Sequence, residues 1–204
     1  MQSIASALHS ANQIGKAEVT VWLNDYEATN FNSTLTFGGE PSNNSTQSAF
    51  ISHNLAKNKD NVIQNIVGTW ALDLEQMKIG DSNQMPAGGF AIIDPMAYTQ
   101  LPPGVFEYLL GKFLTAVPGS ASCTTYADGS EYCSVPQSCE SIYANLPDLS
   151  FKFDTTTYTL PPSSYTYSWS NSNTGYSECD LTIQSTPSTS QTQNYIVLGY
   201  QFAE

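Results

Sequence analysis

The residues best suited to chemistry lie between positions 88 and 102, where one carboxylate follows a short apolar run. The stretch reads Gly-Gly-Phe-Ala-Ile-Ile-Asp-Pro-Met-Ala-Tyr-Thr-Gln-Leu-Pro, and its single acid is Asp94. A carboxylate at the end of a buried strand costs free energy unless it is hydrogen-bonded or has a functional role. Asp94 is therefore the first candidate for a catalytic residue that acts as an acid or a base.

Other titratable residues are weaker candidates. His9 and His53 have no Ser or Cys nucleophile in a recognisable frame, which disfavours a hydrolytic triad. Asp128 and Asp154 lie in turn sequences and are expected to be structural. Because neither histidine lies near a cysteine and no Cys-x-x-Cys pair occurs, we expect no metal site and no cofactor.

Several aromatic residues are expected to pack against strands rather than to bind substrate. Trp22 and Trp70 fall in predicted strands, where a position in the core is the ordinary role. Tyr98, Tyr165 and Tyr167 could line a peptide cleft, but packing within the fold is the favoured interpretation.

The composition predicts a β-rich domain with an acidic surface. The chain has 204 residues, of which 40% are hydrophobic, and its 12 tyrosines and many threonines favour strands. A formal charge of −12 disfavours nucleic acid and anionic membranes as partners, and no apolar run approaches the ~20 residues of a membrane span. The charge is compatible with work at low pH, although a merely soluble acidic surface is the favoured explanation.

Cysteines and sequons indicate an exported protein. Cys123, Cys133, Cys139 and Cys179 predict two disulfides, and spacing alone leaves three pairings open. Sequons in a polar segment make Asn32 and Asn44 candidate glycosylation sites. Residues 1–9 lack the pattern of a signal peptide, so a leader, if one exists, is expected outside this sequence. The expected location is secreted, extracellular or the vacuolar or lysosomal lumen.

Hydrophobic periodicity predicts about two helices and many short strands. The first helix covers residues 3–15 with Gly15 as its stop, and the second opens at Pro102-Pro103 and continues to Leu114. Short apolar or alternating runs predict strands at 18–23, 33–37, 70–74, 90–93, 149–153, 157–160, 165–169, 179–183 and 195–199.

Six motifs, in order along nearly the whole chain, resemble those of the C-terminal lobe of pepsin-like aspartic proteases. Val19-Thr20-Val21-Trp22 with Leu35-Thr36-Phe37-Gly38-Gly39 is similar to the strand pair that opens that lobe. Thr69-Trp70-Ala71-Leu72 is similar to its Tyr-Trp strand, and Ala91-Ile92-Ile93-Asp94 to its Ala-Ile-Val-Asp. The runs at 146–151, 158–165 and 196–202 are similar to Leu-Pro-x-Leu-x-Phe, Tyr-x-Leu-x-Pro-x-x-Tyr and Ile-Leu-Gly-Asp-x-Phe.

The resemblance implies a mostly β fold, a pepsin-like acid-protease lobe of antiparallel sheets that is closed-barrel-like and has about two short helices. It implies that residues 1–204 form a single domain, the C-terminal lobe of such a protease. It also implies that Cys139 pairs with Cys179, so that Cys123 would pair with Cys133 around a hairpin turn at Asp128-Gly129.

The sequence also departs from the family pattern. It contains no counterpart of the first lobe, which supplies the other aspartate, and it is expected to stop short of the closing strands. After Asp94 the family has a hydroxyl residue, Gly and another hydroxyl residue, whereas this chain has Pro95, Met96 and Ala97. Proline has no N–H, Met is bulky where Gly is expected, and Ala lacks a hydroxyl. Each change is expected to disturb placement of the carboxylate.

Two functions therefore compete. In the first, the chain is one lobe of an aspartic endopeptidase that hydrolyses polypeptides at acidic pH, and it is inactive without an N-terminal lobe. In the second, it is a catalytically degenerate module that binds or supports a larger protein assembly. A third arrangement, in which two copies pair their Asp94 residues, is disfavoured by the loss of the glycine.

Overall fold

The structure is a computed structural model that describes residues 4–22, 34–39, 53, 56, 70–85, 88–116, 121–125, 131–171, 175–186 and 195–203. The chain divides into two compact units, one of Met1–Ser52 with Glu204 and one of His53–Ala203. Among the described residues, short strands greatly outnumber helices, so the mostly β character is confirmed. Asn32, Asn44 and the turn expected at Asp128-Gly129 lie outside the described residues.

The described residues of the first unit form one helix and one pair of strands. Helix α1 (Ile4–Ser10) precedes strands β1 (Val19–Trp22) and β2 (Thr34–Phe37), which pair antiparallel. The prediction that the helix continues to Gly15 is wrong. Asn12 adopts a left-handed conformation with φ 55°, which ends the helix because such a residue cannot extend right-handed turns.

A five-stranded mixed sheet contains the strand that ends just before Asp94. Its strand order is β14-β7-β15-β6-β3. The members are β3 (Ala71–Leu74), β6 (Gly89–Ile93), β7 (Gln100–Leu101), β14 (Gln184–Ser185) and β15 (Tyr195–Leu198). Strands β15 and β6 are parallel, as are β14 and β7, so this sheet is mixed, whereas the resemblance implies antiparallel sheets. About a hundred residues separate β6 from β15, ample for the long connection that parallel strands need.

The other described strands of the second unit form two four-stranded antiparallel sheets. The first has the order β11-β10-β4-β5 and the second the order β12-β13-β9-β8. Their strands are β4 (Gln76–Ile79), β5 (Ser82–Met85), β8 (Ser122–Thr125), β9 (Glu131–Val135), β10 (Leu149–Phe153), β11 (Thr156–Leu160), β12 (Thr166–Asn171) and β13 (Tyr176–Leu181). Every sheet among the described residues is open, with an edge strand at each end, so the closed-barrel-like feature is absent there.

Helix α2 (Pro103–Ala116) confirms the second predicted helix. Proline stands at its first position, where no N–H is required, and its apolar stripe is buried: Val105, Phe106, Leu109 and Phe113. The estimate of about two short helices is an undercount, because α3 (Pro162–Tyr165) and α4 (Tyr200–Ala203) add two single turns. Helix α3 replaces the start of the strand predicted at 165–169.

The core of the second unit joins the three sheets and α2. Phe151 and Phe153 of β10 pack edge-on against Phe202, while Tyr165 is fully buried and donates its hydroxyl hydrogen to Pro147 O at 2.7 Å. Burial, followed by the charge of Asp148, raises the pKa of the Tyr165 hydroxyl.

Three aromatic residues expected to pack inside are exposed instead. Trp70 immediately precedes β3 and is 48% exposed, and Tyr167 faces outward from β12. Tyr98 lies between β6 and β7, where its half-exposed ring contacts Tyr200 edge-on. The alternation of β12 explains Tyr167, because neighbouring residues of a strand face opposite sides of the sheet. The side chain of Trp22 lies outside the described part of the chain.

Two disulfides are present within the second unit. Cys139 is bonded to Cys179, and Cys123 to Cys133 across the neighbouring strands β8 and β9. This is the pairing that the resemblance implies. No described helix is long and apolar enough to cross a lipid bilayer.

Candidate active site

Asp94 follows the C-terminal end of the central strand β6, and its side chain is exposed. The strand lies between β3 and β15, and the Asp94 N–H continues the ladder by donating to Leu198 O at 3.0 Å. Backbone pairing therefore fixes the residue while its side chain is exposed to solvent. An anchored but accessible carboxylate is the arrangement that catalysis by this residue requires.

The turn after Asp94 retains one backbone donor to the carboxylate. The Met96 N–H donates to Asp94 Oδ1 at 3.1 Å, and the Ala97 N–H donates to Asp94 O at 3.0 Å. The Met96 side chain is 91% exposed, so its bulk points to solvent rather than into the site. Met at this position thus permits the same backbone donation that a glycine would supply. Pro95 contributes no N–H of its own.

A buried polar cluster of Thr99, Gly199 and Gln201 holds the turn against β15. Gly199 N–H donates to Thr99 Oγ1 at 3.0 Å, and Thr99 donates through its hydroxyl and its N–H to Gln201 Oε1, both at 3.0 Å. Gln201 Nε2 in turn donates to Thr182 O at 3.1 Å. These bonds satisfy groups buried from water, which makes the position of the turn costly to change.

The backbone at Gly199 passes so close to the turn that no side chain fits. A Cβ built there would lie 2.5 Å from the Thr99 amide nitrogen and would also collide with Ala97 O. Real Cβ atoms do not approach backbone so closely, so glycine is required by space rather than by φ. The Tyr200 N–H donates to Ala97 O at 3.1 Å. This bond joins the two backbone segments at the point of close approach, here called the close crossing.

The described residues supply one carboxylate at this site. No second carboxylate is hydrogen-bonded to Asp94 in the part of the chain that the structure describes. Within those residues, no cluster of three or more His, Cys, Asp or Glu side chains forms that could bind a metal ion. The arrangement can position a single acid or base beside a bound substrate.

The other titratable candidates in the described residues lie in turns, in a helix or in contacts between strands rather than beside Asp94. His53 is bonded through Nδ1 to Asp154 Oδ2 at 3.0 Å and through Nε2 to the Tyr158 hydroxyl at 2.8 Å. Asp154 occupies a left-handed turn position between β10 and β11, and burial raises the pKa of Tyr158. His9 is exposed in the last turn of α1.

Sequence reasoning missed Thr99 and Gln201. Neither lies in a motif that marks it as buried, and their roles depend on a contact between residues about a hundred positions apart. Gly199 belongs to the run at 196–202 that resembles the family motif, but the sequence alone does not predict the close backbone approach there.

A mostly β fold whose described residues present an aspartate at the end of a central strand is consistent with the class of pepsin-like aspartic proteases. The profile of the family described as "Eukaryotic aspartyl protease" matches residues 2–204, and the chain belongs to that family. No curated protein matches the chain significantly. Family membership supports hydrolysis of peptide bonds as the activity at the level of the family, and polypeptides as its substrates.

Proposed function

We propose that this chain is the C-terminal lobe of an aspartic endopeptidase and that Asp94 is the carboxylate it contributes to a catalytic dyad. The observation that carries the proposal is the exposed Asp94 carboxylate, anchored by Leu198 O at its N–H and by Met96 N–H at its side chain. The second aspartate of the dyad would come from an N-terminal lobe.

The proposed chemistry needs two carboxylates that share a proton. At short range both cannot ionise, so one remains protonated and polarises the scissile carbonyl while the other activates water. In this scheme Asp94 supplies one of the two groups, and the hydrogen bond from the Met96 N–H orients its carboxylate. One carboxylate cannot be protonated to polarise the carbonyl and ionised to activate water at the same time, so the chain alone is expected to be inactive.

A degenerate module is the alternative, and one specific observation favours it. Pro95 carries no N–H, and neither Pro95, Met96 nor Ala97 carries the hydroxyl that the family places beside the aspartate. A misplacement of ~1 Å of a catalytic group can cost ~100-fold in rate. The lobe would then persist as a binding or structural part of an assembly.

An assay on an unfolded protein substrate at about pH 4 separates the two functions, because an aspartic dyad carries its shared proton in this range. The protein expressed from the complete gene is compared with its Asp94→Asn variant and with an Asp81→Asn control, which removes an exposed turn carboxylate elsewhere. Cleavage that pepstatin inhibits and only Asp94→Asn abolishes supports the endopeptidase.

The degenerate module predicts no pepstatin-sensitive cleavage by any variant. In that case, a triple variant that combines Pro95→Thr, Met96→Gly and Ala97→Thr should gain activity only if the other residues of the catalytic site are intact. Cleavage by residues 1–204 alone would contradict the one-lobe proposal and would support pairing of two copies.

We also propose export of the protein to the cell exterior or to a vacuolar or lysosomal lumen, with Asn32 and Asn44 as glycan acceptors. Two disulfides fit an oxidising compartment. Peptide N-glycosidase treatment of the protein from its native cells should increase its gel mobility, and the Asn32→Gln and Asn44→Gln variants should each remove part of that change. Unchanged mobility would contradict glycosylation.

A further inference from the structure

The outer face of one sheet places aromatic rings around two carboxylates. Alternation along β13 puts Tyr176, Glu178 and Asp180 on one face, and cross-strand pairing places Trp169 beside Glu178 and Tyr167 beside Asp180. The opposite face of the sheet is buried in the core by Cys133, Val135, Cys179 and Leu181. The aromatic face is therefore the one turned away from the core.

This face contains a groove of about 300 Å³, here named the aromatic–acidic groove. Its walls are Tyr132, Tyr176, Glu178 and Pro136, with serine and threonine hydroxyls from β8 and β9. Trp169 packs against Tyr176 in a T-shaped pair, with ring centroids 6.0 Å apart, and the two residues remain 43% and 44% exposed. The rings hold one another in place while their outer surfaces stay accessible.

One carboxylate of the face, that of Asp180, is incompletely hydrogen-bonded within the described part of the chain. Asp180 receives a hydrogen bond from Tyr132, but its Oδ1 atom is buried without a hydrogen-bond partner among the described residues. Burial raises the pKa of Asp180, the Tyr132 hydrogen bond lowers it, and the charge of Glu178 raises it. A cation bound beside the pair would relieve both the repulsion and the desolvation cost.

We propose that the aromatic–acidic groove binds a lysine or arginine side chain of another polypeptide. Aromatic faces attract cations, and Glu178 beside Trp169 and Tyr176 supplies the opposite charge at the same place. The formal charge of −12 draws basic partners and repels a second copy of this chain. The groove lies on a sheet other than the one that carries Asp94, so the inference is independent of the proposed endopeptidase.

Titration with hexalysine tests the inference by calorimetry, with hexa-acetyl-lysine as the probe of equal length without charge. We expect saturable binding of hexalysine that weakens with added salt, and no measurable binding of the acetylated peptide. Glu178→Gln should weaken binding by about fivefold, as the loss of an exposed charge pair does. Glu107→Gln, which removes an exposed charge from helix α2, should change it by less than about twofold.

Two further variants separate cation binding from other recognition. Trp169→Leu should weaken hexalysine binding by about threefold to fivefold, whereas Tyr176→Phe should retain it because the ring face persists without the hydroxyl. Thermal unfolding of each variant verifies that the sheet is intact. Binding should also weaken as the pH falls, because the raised pKa of Asp180 lets this carboxylate take up a proton at a higher pH than an ordinary aspartate does.

Three outcomes would overturn the inference. The first is equal binding of the acetylated peptide. The second is an effect of Glu107→Gln as large as that of Glu178→Gln. The third is binding of a neutral oligosaccharide that Tyr176→Phe abolishes, which would identify a sugar site instead.

Discussion

Gly199 is the residue whose substitution the structure penalises most directly. A Cβ at this position would overlap backbone atoms of Ala97 and Thr99, and backbone cannot move aside as a flexible side chain can. Gly199→Ala should therefore destabilise the protein by at least about 3 kcal/mol or prevent folding, in the range of severe core changes. The measurement is urea unfolding followed by tyrosine and tryptophan fluorescence.

Gly111 provides the matched control for that substitution. It lies in the interior of α2 with open space where a Cβ would stand. Gly111→Ala should stabilise the protein by about 0.5–1 kcal/mol, because alanine loses less backbone entropy in a helix. If Gly199→Ala were tolerated as well as Gly111→Ala, the close crossing at the candidate site would be refuted.

Thr99 should contribute stability through its hydroxyl rather than its shape. Thr99→Val keeps the side-chain volume but removes the acceptor of Gly199 N–H and the hydroxyl donor to Gln201 Oε1. Leaving these buried groups with fewer partners should cost about 2 kcal/mol of unfolding free energy. Thr115→Val, at an exposed helix position, should cost less than about 0.5 kcal/mol. Equal costs in the same urea experiment would contradict a role for the buried cluster.

At the residue scale, the sequence revealed Asp94 but not what holds it. An acid after an apolar run is visible in one window of sequence, and the family motif strengthens the assignment. The Thr99–Gln201 contact joins distant segments, and nothing local distinguishes these two polar residues from exposed ones. The backbone donation by Met96 was also unexpected, because its side-chain bulk suggested obstruction while the structure directs it to solvent.

Among the elements, the two disulfides should differ in their effect on stability. Cys139–Cys179 spans 40 positions and Cys123–Cys133 spans 10. Closing a longer loop removes more entropy from the unfolded chain, so replacing each pair by alanines should cost about 4 and about 2.7 kcal/mol respectively. Denaturant midpoints and slopes of the two double variants give the comparison. A larger loss for the shorter loop would show that packing around the sulfurs outweighs loop entropy.

Elements with strong local patterns were predictable and elements defined by distant partners were not. Helix α2 has a proline start and a continuous apolar stripe, and β10 alternates between buried and partly buried residues. The parallel direction of β15 has no local signature, because the same apolar run can pair either way. The early end of α1 depended on a left-handed Asn12, a conformation that propensity alone does not specify.

At the scale of the whole molecule, the acidic charge connects stability with pH. The chain carries 18 acidic and six basic residues, and its composition alone revealed this excess. The two described lysine–glutamate pairs, Lys16–Glu18 and Lys152–Glu75, are well exposed, so little stability is lost when acid neutralises them. Moderate acid should reduce self-repulsion more than it breaks favourable pairs.

Asp180 offers a specific test of this pH dependence. The pKa of Asp180 is raised in the folded protein, chiefly by burial. The folded protein therefore has its full stability, as far as this residue is concerned, below the ordinary pKa near 3.8, where the carboxyl is protonated in both states. That stability is lost as the pH rises through the folded-state pKa, because the unfolded chain then releases the proton more readily. Asp180→Asn should therefore raise Tm at neutral pH and leave it unchanged at about pH 3.

The control is Asp81→Asn, which removes the same formal charge from an exposed turn and no desolvated carboxylate. Calorimetric scans of both variants and the wild type across the acid range, at low and high salt, separate general repulsion from local burial, since salt screens only the first. Equal increases in Tm for the two variants at neutral pH would show that net charge alone controls stability. A decrease for Asp180→Asn would mean that the ionised carboxylate is favourably solvated in the folded protein.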